Sequence, residues 1–202
     1  MNKCSHTIET NLLCKHYLSL IYQQIQPPAK LIISKKNITQ TNGEILFEDK
    51  TKLFKLIKLN KHDILYDLGS GAGKIILHAF LQTPIKKAVG IEIRSDLYQE
   101  AMLAAAIMQK DFPELFHQLH QLEFQLGSFF DISFDEATII IINATCYSQP
   151  MLFNIGQHIN QSPNTRCIVS LRPILNLTRL SLNQIIKIQC SWDSVLAYIY
   201  MR

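Results

Sequence analysis

Between residues 64 and 169 the chain alternates short apolar runs with longer stretches in which apolar side chains recur at every third or fourth position. The runs over 64–67, 88–91, 123–126, 138–142 and 167–169 are too short for helices and predict strands. The stretches between them, over 74–82, 96–118 and 151–159, carry a helical period. Ser95 stands where an N-cap belongs, ahead of the acidic first turn of the longest. Upstream, residues 5–26 place Ile8, Leu12, Tyr17, Leu20 and Ile21 roughly on one helical face, and Pro27 and Pro28 end that helix. A second helix is expected after Gly43, where Ile45, Phe47, Leu53, Leu56 and Ile57 recur among lysines. After Pro173 the pattern changes, and "IIKIQCSWDSVLAYIYMR" reads as two strands joined by a short turn at 192–194.

This alternation, closing on a hairpin, predicts an α/β fold. Its centre is a Rossmann-like seven-stranded, mostly parallel sheet with a C-terminal β-hairpin and helices on both faces. Residues 1–40 would form a short helical extension and 41–202 the catalytic core of one domain. At 202 residues and 48% hydrophobic composition the chain has apolar material for one full core, and no linker divides it.

Composition narrows the function classes. The formal net charge of +4 is mildly basic, far short of a nucleic-acid-binding tail. Lys30, Lys35, Lys36, Lys50, Lys52, Lys55, Lys58 and Lys61 crowd the N-terminal third, but Glu44, Glu48 and Asp49 interleave. A solvated helix face is therefore the first reading, with an acidic protein or nucleic-acid surface as the minor one. The N-terminus lacks an apolar leader core, and the longest apolar run, 137–142, is strand-sized, so neither a secretory signal nor a membrane span is expected. The cysteines number five, with no C-x-x-C pair, and suggest neither zinc nor a disulfide framework. His117 and His120 lack a third ligand, so no metal is expected. These features predict a soluble cytoplasmic protein, with export through a route other than general secretion left open.

The chemistry concentrates in "ILYDLGSGAGK", residues 64–74. A P-loop needs G-x-x-x-x-G-K-[ST], but Lys74 is followed by Ile75 and the earlier glycines are wrongly spaced. A dinucleotide fingerprint needs a third glycine where Lys74 stands. Asp67 decides between ligands, because a carboxylate at the mouth of a glycine turn repels a pyrophosphate and welcomes a cation. S-adenosylmethionine (SAM) carries an ammonium and a sulfonium and no phosphate, so Asp67 with Gly69, Gly71 and Gly73 suits it. Glu92, at the end of the next predicted strand, can accept hydrogen bonds from both ribose hydroxyls.

From about residue 42 to 202 the chain resembles the non-SET lysine methyltransferases typified by the histone enzyme disruptor of telomeric silencing. "YDLGSGAGKIIL" is similar to that family's V-D-L-G-S-G-V-G-x-x-V-L, "VGIE" to its Y-G-V-E, and "NGEILF" to its Y-G-E-T-x-F. "IIIINATCY" is similar to I-F-V-N-N-F-A-F, "IVSLRPI" to I-V-S-S-K-P-F, and "CSWDSVLAYIY" to the closing V-S-W…V-S-Y-Y hairpin. The resemblance implies a SAM-dependent methyltransferase acting on a protein lysine. In it Asp67 and Gly69 would hold the methionine end of SAM, Glu92 the ribose and Phe129 the adenine. Glu44 would close the cofactor loop, and Asn143, Tyr147 and Tyr198 would line a channel for the lysine amine, Tyr198 only after a one-residue gap beyond Trp192. The N-terminal helix would act as a lid or buttress near the entrance.

The departures are specific. Ala144 replaces the family's second asparagine, Ser128 the acid that would meet the adenine amino group, and Asn42 the tyrosine before Gly-Glu. "NATCY" is also similar to the N-P-P-Y loop of enzymes that methylate adenine or glutamine amides, but it lacks the prolines that fix that loop. Phe130 reads as core filler, whereas buried tyrosine hydroxyls at 147 and 198 would need partners. Two further readings stay open: a methyltransferase for a small molecule or nucleic acid, and a SAM-binding protein that acts through partners without catalysis.

Overall fold

The isoleucine run that predicts a strand forms β4 (Ile139–Ile142), and all four side chains are buried because both faces of the sheet are covered. The computed structural model describes residues 3–25, 44–116 and 121–202. Ahead of β4 come α1 (Lys3–Gln23), α2 (Phe47–Leu56), β1 (Ile64–Leu68), α3 (Lys74–Gln82), β2 (Lys87–Glu92), α4 (Ser95–Asp111) and β3 (Gln121–Leu126). After it come α5 (Gln149–Gln161), β5 (Cys167–Ser170), β6 (Ser181–Gln189) and β7 (Ser194–Met201). The strands form one seven-stranded sheet in the order β3-β2-β1-β4-β5-β7-β6. Strands β1 to β5 run parallel, and the closing hairpin inserts β7 antiparallel between β5 and the edge strand β6. The Rossmann-like architecture expected from the alternation is the one observed.

Side-chain parity splits the core in two. Leu65, Ala88, Ile139, Ile141, Val169 and Ile199 face one layer, packed with residues of α1, α2, α3 and α4. Tyr66, Leu68, Val89, Ile140, Ile142 and Ile168 face the other, covered by α5 and by the loops after β3 and β5. Close packing explains a glycine within α5: a Cβ on Gly156 would lie 1.8 Å from the Leu175 carbonyl oxygen.

Several boundaries differ from the sequence reading. The face of α1 that packs carries Cys14, Leu18 and Ile21, continued by Ile25, whereas Leu12 is 64% exposed and Tyr17 and Leu20 are only partly covered. Ser95 is the first residue of α4 rather than its cap. The cap position is Arg94, whose guanidinium pairs with Asp96 at 2.5 Å. That helix stops at Asp111, short of residue 118, because Pro113 starts a separate 3-10 turn (Pro113–Leu115). Ile45 belongs to a bridge with Cys190 rather than to the helix that follows. Pro27, Pro28, Lys30, Lys35, Lys36, Asn42, Gly43, His117 and His120 lie outside the described residues. Within those residues no helix is long and apolar enough to cross a membrane, and no group of three His, Cys, Asp or Glu is placed to hold a metal.

Candidate functional site

Open parallel sheets bind ligands where the strand order reverses, at the carboxyl ends of the strands. Here that point lies between β1 and β4. The loop leaving β1 is the glycine turn, with Gly69, Gly71 and Gly73 at φ of 90°, 54° and 79°. This backbone region is closed to most side chains, which is why glycine recurs there. The turn folds back on β2: Gly69 N and Ser70 N both donate to Ile91 O, at 2.9 and 3.0 Å. Gly71 N donates to Glu92 Oε2 at 2.8 Å, and Arg94 N donates to Glu92 Oε1 at 2.8 Å. Each Glu92 oxygen keeps a second lone pair for another donor.

Asp67 is 2% exposed, and its Oδ1 has no hydrogen-bond partner. Burial first, then the Glu92 charge, pushes its carboxyl well above the usual carboxylate range, and the Lys50 ammonium pulls the other way. Ser70 Oγ beside it is buried and equally unpartnered. Buried polar groups in folded proteins are nearly always satisfied, so two orphans at one strand end mark a place for a ligand. The space is shaped accordingly: a Cβ on Gly69 would stand 3.2 Å from Tyr147 Oη, and one on Gly90 would stand 2.6 Å from Ser70 Oγ.

A cavity of about 40 Å³ reaches down to Asp67 and is walled by Glu44, Lys50, Lys74, Asn143 and the glycine turn. A larger one of about 260 Å³ shares Glu44, Ile45, Lys50 and Lys74 and extends to Lys15, Leu18 and Tyr22 of α1. Glu44, which lines both cavities, pairs with Lys74 at 2.7 Å. The backbone that carries Glu44 is pinned to the closing hairpin. Ser191 N donates to Glu44 O at 2.7 Å, Leu46 N to Gln189 O at 2.9 Å, and Glu44 N to Ser191 Oγ at 3.2 Å. From below, α1 supports the turn through Tyr22, whose hydroxyl donates to Ala72 O at 2.7 Å and whose ring lies 5.0 Å from Lys74 Nζ.

The loop after β4 brings Asn143 and Tyr147 to the same end. Thr145 Oγ1 donates to Asn143 Oδ1 at 2.9 Å, and Arg172 Nη1 fixes the loop by donating to Tyr147 O at 2.6 Å. Burial, then the charges of Glu92 and Asp67, raises the Tyr147 phenol far above its ordinary value, so it stays protonated. Phe129 is buried with its ring 6.2 Å from that of Tyr147, and Phe130 packs beside it at 4.8 Å, partly buried on the same core as the filler reading expects. Ser128 spends its hydroxyl locally, accepting from Phe130 N at 3.1 Å. Tyr198 is half-buried on the α5 side of β7, opposite Ser170 at the same end of the sheet.

The structure therefore brings Glu44, Asp67, Gly69, Gly71, Glu92, Asn143 and Tyr147 together, with Gly73 at the start of α3 and Phe129 on the flank. Tyr198 stands farther along the rim, with two strands between its own and β1. Lys50 overturns one expectation: it is 6% exposed inside the cavity wall, not solvated, while Lys52, Lys55, Lys58 and Lys61 are exposed as predicted. The sequence alone does not set Lys50, Lys74 or Ser70 apart as site residues. The one local signal is that Lys50 sits one turn ahead of the apolar pair Leu53 and Phe54.

The residues present fit a cofactor with a cationic end and a diol, which is what the buried orphan carboxylate and Glu92 ask for. Comparison with known proteins agrees in fold. The chain is similar to an RNA methyltransferase from Salinibacter ruber, solved with S-adenosyl-L-homocysteine. The TM-score is 0.54 at 22% identity, over 76% of this chain and 90% of that one. It is 33% identical over 89 residues to a protein-lysine N-methyltransferase of Saccharolobus islandicus, covering 44% of this chain and 50% of that protein. It is 31% identical over 93 residues to the H3 lysine-79 specific histone-lysine N-methyltransferase of Drosophila melanogaster, covering 46% of this chain and 5% of that protein. The chain thus matches half or less of the length of these curated relatives. The model of the family described as histone methylation protein DOT1 matches residues 22–190, from the end of α1 to the turn of the closing hairpin, and the chain belongs to that family.

Proposed function

We propose that the protein is a SAM-dependent methyltransferase that transfers a methyl group to a lysine amine of a protein substrate. The observation that carries the cofactor is the buried, half-unpartnered carboxylate of Asp67 at the strand-order reversal. The substrate class follows from family membership and from the lysine specificity named for the Saccharolobus relative.

When bound, SAM supplies a sulfonium methyl open to in-line displacement by an amine lone pair. The chain's residues do the rest. Asp67 binds the ammonium of the amino-acid end, Glu92 accepts from the ribose hydroxyls, and Phe129 walls the adenine. Glu44 and Lys74 close the mouth. A lysine substrate must arrive without its proton, and a water-poor aromatic channel disfavours the ammonium form. Phe129 and Tyr147 supply such walls, and the Asn143 side-chain oxygen can orient the amine. Tyr198 would extend the channel toward the hairpin. Positioning and desolvation then carry the rate, with no strong general base required.

The test is calorimetric titration with SAM, followed by transfer of labelled methyl to nucleosomes, free histones and a cell lysate. Binding at micromolar concentration and label mapped to lysine are expected. Binding with label only on RNA or a small molecule would replace the substrate class, and binding without label would leave a silent binder. Absence of SAM binding would overturn the proposal.

A further inference from the structure

Of the three lysines that wall the two connected cavities, two are paired: Lys15 with Glu48 at 2.5 Å and Lys74 with Glu44 at 2.7 Å. Lys50 is the most buried of them and has no carboxylate within ion-pair distance among the described residues. It belongs to α2 and shares the cavity wall with Glu44, Asp67 and Lys74. Burial lowers its pKa to about 8, so the ammonium keeps its charge at neutral pH. A lone buried ammonium is unfavourable unless an anion meets it.

On the same cavity wall stands the opposite anomaly, Asp67, with its unpartnered oxygen. Each group shifts the other's pKa, but no ion pair joins them and Asp67 Oδ1 has no partner, so neither neutralises the other directly. A ligand with an ammonium and a carboxylate on one carbon satisfies both at once. We propose that Lys50 receives the α-carboxylate of SAM while Asp67 takes the α-ammonium, making Lys50 the residue that selects the intact amino-acid end of the cofactor. The assignment rests on the cofactor reading above and names a contact that the glycine turn alone does not provide.

The experiment compares SAM with its decarboxylated analogue, which keeps the sulfonium and the amine. Both are titrated calorimetrically into the wild type, Lys50→Met and Lys74→Met. The wild type should prefer SAM by about 30-fold, the size of one hydrogen bond to a charged group. Lys50→Met should lose most of that preference through weaker SAM binding, with the analogue bound as before. Lys74→Met should keep it. A Lys50→Met protein that retains the preference, or a Lys74→Met protein that loses it instead, overturns the assignment. Equal affinities in the wild type overturn it without any variant. A wild type that binds neither compound overturns the cofactor reading itself, which separates the two failures.

Discussion

Asp63 and Asp67 bracket the same strand, and their surroundings are opposites. At the amino end of β1, Asp63 is clamped by Arg166 through two bonds of 2.9 and 2.7 Å, and it also accepts from Thr138 Oγ1 at 2.9 Å and Asn60 N at 2.9 Å. Burial alone would raise its pKa, yet these donors hold the carboxyl below the usual range. At the carboxyl end, Asp67 has one oxygen with no donor at all, and burial holds its carboxyl high. One acid is spent on stability and the other is kept for a ligand. The sheet thus separates its structural end from its chemical end within a single strand.

Asp67→Asn tests the chemical end and should give the largest effect. SAM affinity should fall by about a hundredfold in calorimetry, since a charge-assisted bond is lost, while the melting temperature does not fall. A variant that binds SAM normally would erase the contrast. Asp63→Asn should do the reverse: stability falls by about 3 kcal/mol in urea unfolding while SAM affinity stays within about twofold. Because the folded-state pKa of Asp63 is depressed, its contribution is present above the unfolded pKa and is lost as pH falls through the folded one. The acid limb of the wild-type stability curve should therefore be steeper than that of Asp63→Asn. The smallest effect sharpens the picture of Lys50. A lysine whose folded pKa is lowered to about 8 binds fewer protons in the folded state than in the unfolded one between there and its ordinary value. Stability from this group rises with pH across that window, by about 2 kcal/mol at pH 10, and Lys50→Met should lack the rise in parallel thermal melts.

Most of this arrangement was legible beforehand because it is written in short-range pattern. The turn at Gly69–Gly73 needs residues that tolerate positive φ, and the strands of a covered sheet are apolar throughout, so both announce themselves locally. Asp67 and Glu92 follow from their places at strand ends. What stayed hidden depends on contacts between distant segments. Apolar residues on α1 spread around more than one face, so periodicity could not choose the Cys14–Leu18–Ile21 seam over the Leu12 side. Lys50 looks like its neighbours Lys52 and Lys55, and only its burial in the cavity wall beside the glycine turn sets it apart. The pinning of Glu44 by Ser191 joins residues 147 positions apart, beyond the reach of any local rule.

The hydrogen bond from Tyr22 to the Ala72 carbonyl couples two parts of the molecule. It ties the glycine turn to a helix whose inner seam is buried on α3 and α4, so the turn is held by a packed element as well as by its own backbone. A local opening that loosens the first helix therefore also frees the turn. The shape of the turn thus depends on a side chain of the first helix, far in sequence from Asp67 and Glu92.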